Sequence, residues 1–416
     1  MKEGAGVMTE LASPRVRHLL ASARKQFVER GFDAVSIDSI ARTAGVSKET
    51  IYRHFPDKEA LFRAALDEQA AAFTARAAAV HDSASNSGSE LAGMARAILD
   101  SALDQGMFSV LWMATGVAQR MPDLASALQN GQGLRLEPVR QALEDYAREK
   151  GAEGAVAMEL ALDFGSLAVE GPIMLMGFPA VPPQMRDPVA HRAAALFAQG
   201  IASAMDDSLP LPPPLSLGDA EPCREPPPHI RTLLDVAGRH FLTQGYEGAN
   251  LHQISEEARV GRGTLYRHFA SKAGLFTGAM RALAQTCAQA SIPVELPQGS
   301  TDVKALTAYL EAAVESLGSS TSIQLHRSVI SQSRRDDALA RHVYAALRAP
   351  WVGGLVPWLR SIGVRQGEDW YARQLLVLAL RGNRMLAGGR PLTGQDRRRY
   401  AERAAVIFLS GYISLL

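Results

Sequence analysis

The chain has 416 residues, 47% hydrophobic and only 6% aromatic, with a formal net charge of +1. That length is generous for one domain and ample for two, and the apolar fraction supports a sizeable core. A charge so near zero excludes no partner class, because binding follows local charge, whereas two cysteines, Cys223 and Cys287, exclude a disulfide framework and a cysteine-rich zinc site.

The opening stretch carries Glu3 and Glu10 and no apolar block, so residues 1–14 read as a flexible tail and not as a secretory signal. No apolar run approaches the roughly 18 residues of a membrane helix. The run from Leu375 to Leu380 comes nearest, but Arg373 and Arg381 bracket it, so it reads as a buried helix. A reduced, cytoplasmic setting is expected. Ala, Leu, Arg and Glu abound while alternating β-branched runs are scarce, which predicts an all-α fold.

The first predicted helix places Val16, Leu19, Leu20, Ala23, Phe27 and Val28 on one face, and Gly31 stops it. Ser36 is the expected N-cap of a short second helix, I-D-S-I-A-R-T-A, with Asp38 in its first turn. A tight A-G-V turn follows, in which Gly45 supplies the positive backbone angle. The third helix starts near Ser47 and holds T-I-Y-R-H-F; the fourth starts at Lys58 behind Asp57. Short helix, tight turn and short helix make a helix-turn-helix, whose second helix fits the major groove of duplex DNA. Val46, Ile51 and Phe55 pack inward, which leaves Ser47, Lys48, Thr50, Tyr52 and His54 partly free as donors, acceptors and cations.

A long Ala- and Leu-rich helical tract runs on to about residue 206, punctuated by Pro122, Pro138, Pro172 and Pro179. Prolines 210, 212, 213, 214, 222, 226, 227 and 228 then mark a linker, read as stiff and extended or as a disordered joint. Beyond it the first pattern returns. T-I-Y-R-H-F-P-D-K-E-A-L-F at 50–62 reappears as T-L-Y-R-H-F-A-S-K-A-G-L-F at 264–276, without a gap. Residues 15–66 hold ten Lys/Arg against six Asp/Glu, and 229–280 hold six against four, so both copies are locally basic. In the second copy Asn250 is the expected cap, with Gln253 at capping-box spacing, and Pro350, Pro357 and Pro391 mark later helix ends. The expected organisation is a tail over 1–14, helix-turn-helix domains over 15–63 and 229–277, helical ligand-binding and dimerisation domains over 64–206 and 278–416, and a linker over 207–228.

The run from Gly31 to Phe62, above all Y-R-H-F followed by K-E-A-L-F, resembles the DNA-binding domain of the tetracycline-repressor (TetR) family. The resemblance covers about 50 residues of each copy. It implies two tandem TetR-like modules in one chain, a double-stranded DNA operator as partner, and control by a small apolar or aromatic effector. Carried over position by position, it makes Lys48 and Thr50 groove-facing, and Tyr52, His54 and Lys58 phosphate contacts. Arg262, Thr264, Tyr266, His268 and Lys272 fall on the same positions of the second module. Tyr52 that only packs its ring, and His54 as a solvated helix end, are the plainer readings. Arg259 stands where the first turn has Gly45; it either takes a left-handed backbone, at a cost of about 1 kcal/mol, or reshapes the turn.

The implied effector pocket has Met107, Trp112, Met113 and Met174 as candidate lining, although methionines fill ordinary cores equally well. Relatives dimerise through their last two helices, so a chain with both modules is expected to form a pseudo-dimer internally, with segments around 156–176 and 189–205 against 369–387 and 396–413. A further homodimer, with four reading heads, is the rival assembly. No nucleophile–base grouping, metal-ligand spacing or phosphate loop is present, so no enzyme activity, metal or cofactor is expected. The alternative function is a helical ligand carrier or enzyme on the same scaffold.

Overall fold

The computed structural model describes residues 14–32, 34–68, 90–104, 107–118, 121–124, 136–170, 175–204, 209–212, 214–217, 226–290, 293–333, 337–382, 384–387 and 392–416. Among them every regular element is helical, so the fold is all-α.

In the first module, α1 (Pro14–Arg30), α2 (Ile37–Ala44) and α3 (Lys48–His54) form a three-helix head, and α4 occupies 58–68. The predicted face of α1 is the buried one: Val16, Leu19, Leu20, Ala23 and Phe27, with Val28 half-buried. Phe27, Phe32 and Phe62 meet at ring distances of 4.9–5.9 Å, which fixes α4 under the head. Then come α5 (Glu90–Asp104), α6 (Met107–Val117), α7 (Glu137–Glu149), α8 (Met158–Val169), α9 (Arg186–Gln199) and the short α10 (Ile201–Ala204). Helix α5 packs on α8 and α9, and α6 returns to touch α1.

The second module repeats the plan: α11 (Pro228–Gly248), α12 (Leu251–Glu257), α13 (Arg262–Phe269), α14 (Lys272–Gln289), α15 (Val303–Leu317), α16 (Ser320–Gln332), α17 (Asp337–Leu347), α18 (Ala349–Ser361), α19 (Glu368–Ala379), α20 (Arg384–Ala387) and α21 (Gly394–Ser410). Helix α11 breaks at Gly245, the counterpart of Gly31. Two local expectations need correction. Pro357 lies inside α18 and does not end it, which costs the helix one backbone bond. Asn250 accepts from His252 N at 2.8 Å, a cap bond one residue earlier than the capping-box geometry. Phe269, the counterpart of the buried Phe55, is half-buried.

Helices of the two modules meet across the linker. Helix α9 packs on α21, α8 on α19, and α6 on α16. Phe197 stacks on Tyr412 at 5.2 Å, and Tyr412 donates to Leu143 O at 2.6 Å. The described part of the linker is docked: Leu215 and Leu217 pack on the core, and Arg192 donates to Leu209 O.

The contacts are reciprocal, as a two-fold relation requires. Gly200 and Gly411 both have φ of 80°. A Cβ on Gly200 would stand 2.5 Å from Leu409 O, and one on Gly411 would stand 2.2 Å from Ala198 O. R-A-A-A-L-F-A-Q-G at 192–200 and R-A-A-V-I-F-L-S-G at 403–411 show that the duplication reaches the C-terminal helices, a sequence signal that the 214-residue offset conceals because the spacing here is 211.

Candidate nucleic-acid interface

Each candidate residue owes its position to a cap or a buried neighbour. Ser36 caps α2 by accepting from Ser39 N at 3.1 Å, and Gln26 of α1 clasps Ser39 through both its carbonyl and its hydroxyl. Gly45 turns the chain at φ 65°. Ser47 then caps α3, accepting from Thr50 N at 3.1 Å, with the two hydroxyls 2.9 Å apart. Ile51 and Phe55 are buried and seat α3 on the head, so the opposite side of the helix faces outward. Asp57 accepts from Ala60 N at 2.7 Å and starts α4.

The second head arrives at the same shape by different chemistry. Arg259 takes the left-handed backbone, φ 54°, in the place of Gly45. The turn is not reshaped: Val260 N donates to Ser255 O at 3.0 Å, as Val46 N does to Ala41 O. Gly261, which has no side chain, precedes α13 where Ser47 precedes α3. His240 replaces Gln26 as the clasp, with Nε2 2.7 Å from Glu257 Oε2. That hydrogen bond, joined by the nearby Arg239 and His240 charges, holds the Glu257 carboxyl below the usual carboxylate range against an opposing desolvation effect.

The two tyrosines stand out in both copies. Tyr52 and Tyr266 are each 51% exposed, whereas the other large apolar side chains among the described residues are almost all covered. Arg262, Thr264 and His268 line the same outward side of α13 that Lys48, Thr50 and His54 line on α3, with Thr50, Thr264 and His54 partly covered. Each of the three lysines is engaged within its own head. Lys48 is paired with Asp38, both more than half exposed. Lys58 Nζ lies 4.4 Å over the Phe32 ring. Lys272 Nζ lies 5.3 Å over Tyr246 and donates to Glu247 O at 2.9 Å. Arg262 has no ion-pair partner among the described residues. The aromatic after each helix-stopping glycine, Phe32 or Tyr246, was the missed signal for this lysine seat.

Of the proposed pocket residues, Trp112 and Met113 are buried and line a shallow open cleft, about 690 Å³ with open solvent included, with Arg30, Phe32, Tyr246 and Arg327. It lies between the heads and not inside the first helical domain. Trp112 Nε1 donates to Ser333 Oγ at 3.2 Å, across the modules. The Met107 side chain and all of Met174 lie outside the described residues.

The profile of the family described as "Bacterial regulatory proteins, tetR family" matches residues 19–65 and 233–279. The chain carries two tetR-family domains. Each match covers α1 to α4 of its module or their equivalents, the elements that hold the exposed tyrosines. The DNA-binding transcriptional repressor TetR of Mycobacteroides abscessus is similar at 41% identity over 66 residues, 16% of this chain and 35% of that protein. The HTH-type transcriptional activator FasR of Mycolicibacterium smegmatis is 48% identical over 48 residues, 12% of this chain and 22% of that protein. The matches thus span about a third or less of these relatives. Among solved structures, Flavonoid-responsive Regulator FrrA aligns at 26% identity and a TM-score of 0.34, over 44% of this chain and 94% of that one. No helix among the described residues is long and apolar enough to cross a membrane.

Proposed function

We propose that this tandem tetR-type chain is a sequence-specific DNA-binding transcriptional regulator, acting as a ligand-responsive repressor, in which one polypeptide supplies both heads of a pseudo-dimer. The observation that carries the reading is the duplicate presentation of an exposed tyrosine on a short, capped third helix, Tyr52 on α3 and Tyr266 on α13. A half-exposed tyrosine offers apolar area and a polar tip together, and a hydroxyl on an amphipathic ring suits a sugar-phosphate strand. Ser47, Lys48, Thr50, Tyr52, His54 and Lys58 serve one half-site. Arg262, Thr264, Tyr266, His268 and Lys272 serve the other. Packing of α8 and α9 on α19 and α21 supports closure within one chain.

The heads differ at Ser47/Gly261, Lys48/Arg262 and Glu49/Gly263, so the operator is an imperfect palindrome with half-sites about one helical turn apart or a multiple of it. An apolar or aromatic effector entering beside Trp112 and Met113 would wedge between the heads and change their spacing. The activity belongs to the cytoplasm, where the DNA is.

Selection of bound duplexes from random sequence tests the reading. The expected result is an imperfect palindrome bound by one chain per site. A strictly symmetric site would overturn the division of labour between heads, and no enrichment at all would favour a ligand carrier on the same scaffold.

A further inference from the structure

The join between the modules is one-sided in charge. The first module supplies carboxylates and the second supplies guanidiniums. Glu170 accepts from Arg373 Nε at 2.6 Å. Asp163 is paired with Arg384 and lies 3.0 Å from Arg403 Nη2. Glu159 is paired with Arg403 and lies 3.9 Å from Arg381. Asp163, Arg373 and Arg384 are all buried, so solvent and salt screen these pairs weakly. Burial raises the Glu159 carboxyl, but the Arg403, Arg381 and Arg399 charges outweigh it and hold the group below the usual range.

The relation that carries Gly200 onto Gly411 carries Asp163 onto Gln374, Glu159 onto Trp370, Glu170 onto Arg381, Leu162 onto Arg373 and Arg192 onto Arg403. Two backbone oddities confirm this register, since Glu170 and Arg381 are both left-handed at φ 52° and 57°. Among the described residues the mirrored half of the join therefore holds no second set of ion pairs. Gln374 is fully buried with neither amide atom hydrogen-bonded among the described residues, and Trp370 Nε1 is likewise unpartnered. Arg192, the counterpart of Arg403, donates to Tyr371 Oη at 3.0 Å instead.

We propose that this charge division is a pairing code: the first module accepts only a second module as its partner, so the chain closes on itself and like modules of two chains reject each other. In a pair of second modules, Arg384 and Arg403 would meet Gln374 and Trp370 and find no carboxylate. In a pair of first modules, Arg192 would stand in the place of Arg403 beside Glu159 and Asp163, but Glu159 would also face Glu170 where Arg381 now stands, and Glu170 would face Leu162. Each wrong pair leaves buried charge short of opposite partners, with an excess of carboxylates in one and of guanidiniums in the other, which is how specificity is built by repulsion as well as attraction. The inference rests on closure within one chain and not on DNA recognition.

Two full-length variants test it without DNA. One carries Glu159→Arg with Glu170→Arg; the other carries Arg373→Glu with Arg403→Glu. Each alone places like charges across its own join and is expected to lose the closed monomer and melt earlier than wild type. Mixed, they are expected to form a 1:1 complex of twice the chain mass, with one reversed join and one wild-type join, in at least ~100-fold preference over self-association. Light scattering and thermal melting read both results. Variants that stay closed with the wild-type Tm overturn the code, and so does a mixture that yields no 1:1 complex, including one in which neither variant recovers its fold. A gentler variant, Glu170→Gln, is expected to melt earlier yet remain monomeric; an unchanged Tm counts against a contribution from that pair. Because every readout is association or stability, a failure to find an operator leaves these outcomes intact.

Discussion

Single side chains in the second module set limits on its stability. His326 is fully buried, with Nδ1 2.7 Å from Ser322 O and Nε2 accepting from Arg348 Nε at 3.1 Å. That acceptor role places the ring proton on Nδ1 and leaves no room for a second proton. Burial, helped by the Arg348 charge, pushes the imidazole down from 6.5 to about 3. A depressed folded-state value means the unfolded chain binds a proton that the folded chain refuses. Stability from the neutral ring is therefore present above pH 6.5 and is lost as pH falls toward 3. Urea melts of the wild type across that window are expected to show the loss, and His326→Gln, which cannot titrate, is expected to flatten it. An unchanged slope in the variant would assign the acid sensitivity elsewhere. Arg259 is a second case. Its left-handed backbone costs about 1–2 kcal/mol, of which glycine would return part after its own entropy in the unfolded chain, so Arg259→Gly is expected to stabilise by about 0.5 kcal/mol. The same variant should bind DNA more weakly, because the exposed guanidinium beside α13 is gone. If affinity is unchanged, Arg259 has no place among the phosphate contacts.

At the scale of elements, short helices depend on their ends. Helix α3 spans only Lys48–His54, and the Ser47 cap satisfies one of its few exposed donors. Ser47→Ala is expected to cost about 1 kcal/mol and to loosen α3 before the rest of the head, visible as faster amide exchange at Thr50. The recognition helices also differ in available charge. Lys48 is paired with Asp38 across to α2, whereas Arg262 has no ion-pair partner among the described residues. Arg262→Ala is therefore expected to lower the salt slope of binding by about 1, with a smaller change for Lys48→Ala. Equal slopes in the two variants would show that Asp38 releases Lys48 on the duplex. At the other end of each module, α9 and α21 cross so closely that only glycine fits at 200 and 411. Gly411→Ala combines an unfavourable backbone with a clash on the Ala198 carbonyl and is expected to cost about 3 kcal/mol.

For the whole molecule, the gapless offset of 214 over the heads and of 211 over the C-terminal helices reveals a duplicated protein, and helical spacing, caps and the Y-R-H-F runs fix its all-α heads almost residue by residue. These are local properties. Periodicity, a glycine with positive φ and a serine before a helix act within a few residues, so the chain states them directly. The seat of Lys272 on Tyr246 was hidden because its partners stand 26 residues apart in sequence. The left-handed choice at Arg259 was hidden because the cost of strain must be weighed against the surrounding helices. Trp112 and Met113 could be named as apolar, but only packing between modules puts them in a cleft between the heads. The carboxylates of one half and the arginines of the other could be counted along the chain, yet nothing local says that Asp163 meets Arg384, 221 residues away. Residue order alone determined what each module is, because helices and turns are decided by near neighbours; tertiary structure decided how the modules face each other, because that depends on which distant side chains share a buried surface.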